Sequence, residues 1–342
     1  MSIVDGILGR YELGEIQEYR RLYSGLMHAT YIVDADRGRH VLQRLHPKLS
    51  TVEILADFEA VTHHLAAQHF SAPCLVHTRE GERVVVDAEN RWWRLATWVP
   101  GETKNKVQST LEAEQGARAL GRFHRAIAQI EHDFGSQHPL HDTRSHLSAL
   151  IKAVENPAYA PHLATVQAEV DRILALLPTL IFPDELPQRV VHGDPKISNI
   201  LFRGDEAIGL IDLDTCNRHT ILVDLGDAVR SWCRDGGEDE RQKFQIDRFE
   251  AILRGYAAEG PPLTPAEIEH LGAAGRLITM ELASRFARDV LEDEYFAFDA
   301  ERYPNRRAHN QARTRSMLYL ADDMLAHRSA IESLVTRYFP TP

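Results

Sequence analysis

The sequence predicts an α+β chain in two lobes: a small antiparallel β-rich lobe over residues 1–97 that carries one helix, and a larger helical lobe over 107–342. Three observations predict it. Short β-type runs fill the first third, helix-period patterns with capping residues dominate from about residue 107, and the stretch WVPGETKNK (98–106) separates the two textures with Pro100 and Gly101.

In chain order, EYRRLY, TYIVDA, HVLQRL, ERVVVD and WWRLATW read as strands, with Asp36-Arg37-Gly38 as a hairpin turn. Trp92, Trp93 and Trp98 read as hairpin and linker packing. Between the third and fourth runs, Ser50 followed by Glu53 forms a capping-box pattern, and Ile54, Leu55, Phe58, Val61 and Leu65 then share one helical face. Ser109 and Glu112 open a second helix carrying Leu120, Phe123 and Ile127. In Thr264-Pro265-Ala266-Glu267 an N-cap, a proline at the first helical position and a box glutamate start a segment that runs towards Phe296. One further helix is expected over much of 306–338.

With 342 residues and 44% apolar composition the chain can bury a sizeable core. A net charge of −11 gives no electrostatic footprint for nucleic acid or an anionic membrane, so a small molecule is the expected partner. Composition does not set an oligomeric state. Cys74, Cys216 and Cys233 form no C-x-x-C pair, which implies neither a disulfide framework nor a cysteine zinc site. The N-terminal MSIVDGILGR lacks a basic segment followed by a long apolar one, and the longest apolar run, ILALLPTLIF, is interrupted by Pro178. A cytoplasmic protein is expected. Neither G-x-x-x-x-G-K-[ST] nor H-E-x-x-H occurs, which sets aside P-loop kinases and thermolysin-like hydrolases.

The chemistry concentrates in VVHGDPKISNILF (190–202). His192, Asp194, Lys196 and Asn199 stand as H-x-D-x-K-x-x-N, the spacing of a protein-kinase-type catalytic loop, in which the aspartate accepts the acceptor hydroxyl's proton and the asparagine holds a metal. Asp212 follows at the end of the apolar run AIGLID, a second carboxylate at a strand terminus. Phosphoryl transfer needs a base beside the acceptor and cations on the developing charge; Asp194 supplies the first, and Mg²⁺ on Asn199 and Asp212, with Lys196 nearby, supplies the second. A loop that merely caps a turn would need none of this set.

HGDPKISNILF, GLIDLDT and LVDLGDAVRSW resemble the aminoglycoside phosphotransferase and choline kinase superfamily over about residues 20–325. That resemblance implies a bilobal protein-kinase-like fold and ATP with Mg²⁺. ITMELASRFARDVLEDEYF (278–296), YP at 303 and HNQARTRS (309–316) are similar to N-acetylhexosamine 1-kinases, which phosphorylate the anomeric hydroxyl of the sugar. The likeness implies that Arg285, Tyr295 and His28, with Asp194, hold the acceptor. It implies further that adenine meets the backbone at Thr97, Trp98 and Val99.

The chain departs from the kinase pattern in its small lobe. HVLQ places Gln43 where a phosphate-binding lysine is usual, and Glu59 is the candidate for the helix glutamate that such a lysine pairs with. SGLMHATY (24–31) stands where a glycine-rich loop would. Asp224 is either a brace for the catalytic loop or the cap of the helix that follows it. His138, His141 and His146 read as loop residues rather than a metal site. Three functions remain: a sugar kinase; a kinase for choline or ethanolamine, homoserine or an aminoglycoside; and a nucleotide-binding module without catalysis. Residues 285–315 carry more Arg than Asp and Glu, which suits a neutral acceptor better than a polycation.

Overall fold

The computed structural model describes residues 2–22, 28–135 and 140–340. A short helix that the sequence pattern did not reveal, α1 (Ile3–Leu8), opens the chain. Ser2 Oγ accepts from Asp5 N, and Asp5 returns a bond to Ser2 N, closing a capping box. Val4, Ile7 and Leu8 pack under the sheet against Val33, Leu42, Trp93 and Leu95.

That sheet has six strands: β1 (Ile16–Leu22), β2 (Ala29–Ala35), β3 (Gly38–Arg44), β4 (Leu75–Val76), β5 (Val85–Val86) and β6 (Trp92–Thr97). They pair antiparallel in the order β1-β2-β3-β6-β4, with β5 also on β6. β4, two residues long, is too short to carry an alternation signal in the sequence. The β3–β6 register sets Leu42 opposite Leu95 and Gln43 opposite Arg94. Opposed residues project to the same face, so this register decides which polar groups meet.

α2 (Val52–Ala67) buries Leu55, Phe58, Val61 and Leu65 as its apolar face predicts. Its cap is Thr51 rather than Ser50. Pro47–Leu49 form a 3₁₀ turn, Ser50 Oγ donates to His46 O, and Thr51 Oγ1 accepts from Ile54 N, so the helix starts one residue later than the Ser50-Glu53 pattern suggests.

Residues 98–106 then cross to the helical part. It holds α3 (Thr110–Ile127), α4 (Thr143–Glu155), α5 (Ala160–Leu163), α6 (Gln167–Leu176), β7 (Arg189–Val191), β8 (Ile200–Arg203), β9 (Glu206–Leu210), β10 (Asn217–His219), α7 (Leu222–Trp232), α8 (Ile246–Glu259), α9 (Pro265–Glu292), α10 (Arg306–Ala326) and α11 (Arg328–Tyr338). Ser109 caps α3, and Thr264 with Glu267 forms the expected box on α9. The single helix expected over 306–338 is two. His327 N donates to Asp323 O and Met324 O, which ends α10, and α11 restarts at Arg328.

Phe123, Trp232, Phe249 and Phe286 are almost wholly buried in the main core, each contributing about 1.5–3 kcal/mol of transfer free energy. α7 crosses α9 closely enough that a Cβ on Gly226 would sit 2.6 Å from Ala274 O. This close crossing fixes α7, and with it Asp224 and Asp227, beneath the β7–β8 loop. Two backbone bridges tie the parts together, Ser71 to Gly209 and Glu102 to Phe202. Among the described residues no helix is long and apolar enough to cross a membrane, and all three cysteines are free.

Candidate active site

β7 and β8 are joined by residues 192–199, and the loop is shaped by one glycine. Gly193 has φ +84°, and a Cβ there would lie 2.6 Å from Thr215 O, so no other residue fits without displacing backbone. His192 points inward, its Nε2 donating to Ile211 O at 2.9 Å and its Nδ1 accepting from Asp194 N at 3.3 Å.

Asp224 is the brace, not a cap. Its carboxylate accepts from His192 N (2.6 Å), Gly193 N (2.8 Å) and His124 Nε2 (2.8 Å), while His124 Nδ1 meets Tyr256 Oη. The α7 N-cap position belongs to Ile221 and has no side-chain cap bond. Burial alone would raise the Asp224 carboxyl, but His124, His192 and the loop amides outweigh it and hold the pKa below the ordinary range. A buried anion thus fixes the backbone from which Asp194 projects.

Asp194 is paired with Lys196, whose Nζ lies 2.9 Å from Oδ1 and 3.0 Å from Oδ2. Burial opposes the charge on Lys196, yet Asp194 and then Asp227 raise its pKa above the usual value. Asn199 Nδ2 donates to Asp194 O at 2.9 Å, which leaves its Oδ1 as the atom for a cation. Asp212 ends the β9 segment in the left-handed region at φ 64°. It is exposed at the surface, although protein crowds its carboxyl.

Three carboxylates therefore converge, and two of them have protein cations. Asp214 is held by Arg94; burial would raise its carboxyl, but the guanidinium wins and depresses it. Asp212 has no such partner among the described residues: crowding by protein, then Asp214 and Asp194, raise its pKa. This oxygen donor set fits a hard divalent cation, with Asp212 and Asn199 as the residues that would hold it. His28, Asp212 and Asp214 also gather, with one ligand atom from each lying within 4.8 Å of the others. His28 Nε2 is 3.4 Å from Asp214 Oδ2, and its Nδ1 accepts from His46 N.

The small-lobe expectations are partly redirected. Gln43 does not meet Glu59: its Oε1 accepts from Arg94 Nε (3.0 Å) and Nη2 (2.8 Å). Glu59 is turned to His77 (2.7 Å) and Arg83 (2.5 Å), because α2 presents Phe58, not Glu59, to the Arg94 guanidinium. At the linker, Thr97 N donates to Cys74 O and Trp98 N to Arg39 O, both spent inside the sheet. Among the described bonds that leaves Val99 as the residue of the three whose N–H is free to meet a base. Residues 24–27 of SGLMHATY, and His138, lie outside the described residues.

Arg285 and Tyr295 do come together, with the guanidinium 5.9 Å from the phenol ring and Lys48 Nζ of the first lobe 4.7 Å from it. Asp289 builds this corner by accepting from Glu294 N, Tyr295 N, Phe296 N and Asn310 Nδ2 at 2.8–2.9 Å. The HNQARTRS run is thus partly structural: Asn310 holds Asp289, and Arg313 donates to Ala297 O. His141 Nδ1 pairs with Glu281 at 2.9 Å, and His146 Nε2 meets Leu140 O.

The sequence reading missed Arg94, Asp214 and the His141–Glu281 pair. Only Arg94 left a local trace, a lone cation between Trp93 and Leu95 in a strand otherwise apolar at its centre.

Residues 18–261 match the phosphotransferase enzyme family model. The chain is 27% identical over 302 residues to a homoserine kinase of Parvibaculum lavamentivorans, covering 86% of this chain and 88% of that one. A homoserine kinase of Rhodopseudomonas palustris is 25% identical over 297 residues, covering 84% and 82%. The fold superposes on an aminoglycoside phosphotransferase from Alicyclobacillus acidocaldarius with TM-score 0.64 at 16% identity, covering 98% of this chain and 97% of the other. A microcompartment-associated aminopropanol kinase gives TM-score 0.60 at 19% identity, covering 97% and 98%. The fold of this chain is kinase-like, and its family match makes it a phosphotransferase. The chain belongs to the phosphotransferase enzyme family.

Proposed function

We propose that the chain transfers the γ-phosphoryl group of ATP to a sugar hydroxyl, the anomeric oxygen of an N-acetylhexosamine or a related sugar. The observation that carries the acceptor reading is the wall made by Arg285 and Tyr295 from the helical lobe with Lys48 from the sheet lobe. An aromatic ring flanked by cations offers a face for a pyranose and donors for its hydroxyl and carbonyl oxygens. In this reading His28 completes the acceptor site from the first lobe.

Asp194 is the general base. It takes the acceptor proton as the oxygen attacks the γ-phosphorus, and the bond from that phosphorus to the bridging oxygen breaks, releasing ADP. Lys196 orients Asp194 through their ion pair until the acceptor arrives. Asn199 and Asp212 would hold Mg²⁺, which when bound would supply positive charge to the phosphate oxygens. Asp224 acts only through the backbone, fixing His192 and Gly193. The three free cysteines support the cytoplasmic placement.

A second reading, homoserine or a related amino alcohol, is favoured by the names of the curated relatives and by one feature of the site. Arg234 Nε, buried beside Glu238 and Lys196 without a hydrogen-bond partner, would donate to a carboxylate.

Phosphorus NMR on reactions with Mg-ATP and GlcNAc, GalNAc, their methyl glycosides, homoserine or aminopropanol decides between them. The sugar reading predicts a phosphate resonance split by the anomeric proton and no product from the methyl glycosides. Turnover of homoserine alone, or efficient phosphorylation of a methyl glycoside, would replace it.

A further inference from the structure

The phosphate-binding lysine that Gln43 displaces leaves a question: which cation serves the nucleotide side of the cleft? The register answers it. Gln43 on β3 lies directly opposite Arg94 on β6, so the two side chains leave the same face of the sheet. Arg94 is only 1% exposed, a burial that a guanidinium tolerates only with a full set of partners. It has them on three sides. Gln43 Oε1 accepts from Nε and Nη2, Asp214 accepts through both carboxylate oxygens from Nη1 and Nη2, and the Phe58 ring of α2 lies 4.0 Å away.

Four of the five guanidinium N–H groups are therefore committed, and the fork matches the carboxylate as a bidentate pair. The anion has moved as well as the cation. Asp214 stands two residues beyond Asp212, and the carboxylates of both residues lie within 4.8 Å of each other. In the usual arrangement a lysine on the third strand pairs with a glutamate on the neighbouring helix. In this chain the equivalent helix glutamate, Glu59, is bound to His77 and Arg83 instead.

We propose that Arg94 is the positioning cation of the nucleotide site: oriented by Gln43 and paired with Asp214, it stands in for the missing lysine and fixes the segment that carries Asp212. The Arg94–Asp214 ion pair then joins the centre of the sheet to the metal-binding segment of the helical lobe. Gln43 has a defined part in this, since a lysine there would set a second cation against the guanidinium, whereas an amide oxygen accepts from it. The inference rests on the phosphotransferase assignment and not on which acceptor is used.

The test uses the full chain with Mg²⁺ and the non-hydrolysable analogue AMP-PNP, without acceptor, followed by calorimetric titration and thermal unfolding. Arg94→Gln should weaken Mg-AMP-PNP binding at least tenfold. Adding Gln43→Lys to it should bring affinity back to within about threefold of the starting protein, because the lysine restores the charge one strand away. A purely structural arginine would not be rescued in this way. Wild-type affinity in Arg94→Gln would overturn the proposal. So would a folded double variant that still binds weakly. If Arg94→Gln alone does not fold, the double variant decides: folded with restored binding supports the proposal, and unfolded or non-binding overturns it.

Discussion

Asp224→Asn tests how much of the catalytic loop's geometry depends on one buried anion. Three donors converge on the native carboxylate, His192 N and His124 Nε2 on Oδ2 and Gly193 N on Oδ1. An amide offers one acceptor oxygen and turns an NH₂ towards the remaining donors. One orphaned buried donor costs about 1–3 kcal/mol, and loss of charge assistance on the surviving bonds adds about 1 kcal/mol, for a total of roughly 3 kcal/mol. At about 2 °C per kcal/mol, suited to a chain of this size, unfolding should shift down by roughly 6 °C. Activity should suffer more than stability, because a displacement of about 1 Å at the base costs roughly a hundredfold in turnover. The pH dependence gives a further sign. The folded Asp224 pKa lies below its ordinary 3.8, so its contribution is fully present above 3.8 and disappears as pH falls through the folded value. Melting by circular dichroism across pH, with turnover followed by ADP release, measures both. An Asp224→Asn protein within about 0.5 kcal/mol of the native one and within about twofold in kcat would refute the brace, since an unpaired donor alone exceeds that.

Asp212→Ala should abolish the Mg²⁺ dependence of ATP binding in calorimetry; an unchanged Mg²⁺-dependent affinity would put the cation elsewhere. His141→Gln should destabilise the chain most between pH 4.5 and 6.5. Burial opposes the charge on His141, but Glu281 outweighs it and raises the pKa above 6.5, so its contribution is complete below 6.5 and lost as pH rises through the folded value. Burial likewise pushes Glu281 up, but His141 overcomes it and holds the carboxyl at about 2, so the acidic side is lost only as pH falls from 4.5 towards that value. A melting difference that grows in alkali would contradict the sign. Arg285→Ala should raise the acceptor KM and lower kcat together, with Mg-ATP affinity unchanged in titration; an effect on ATP alone would remove Arg285 from the acceptor site.

What the sequence made legible was what lies close along the chain. His192, Asp194, Lys196 and Asn199 occupy one loop, so their spacing alone encodes their geometry, and Asp212 follows after a single hairpin. Helices with box caps, such as α9, were legible for the same reason. Pairings set by strand register were not. Gln43 and Arg94 are 51 residues apart, and Arg94 and Asp214 are 120 apart, so no local pattern joins them. Glu59 sits on the expected helix, but a rotation of one position puts Phe58 at the guanidinium instead. Asp224 was ambiguous because a helix-start aspartate and a loop brace look alike until the third dimension supplies His124. β4 and α1 were missed because two and six residues are too few for a period to show.

The central claim is that phosphoryl transfer occurs at Asp194, with Asp194 as base. The most direct measurement compares wild-type and Asp194→Asn chains for formation of the phosphate ester from labelled Mg-ATP and the best acceptor found, with Mg-AMP-PNP affinity measured in parallel. The account predicts a fall in turnover of roughly 10²- to 10⁴-fold with nucleotide affinity nearly unchanged. Turnover retained within about tenfold in a folded Asp194→Asn protein, below the range a positioned base supplies, would contradict it.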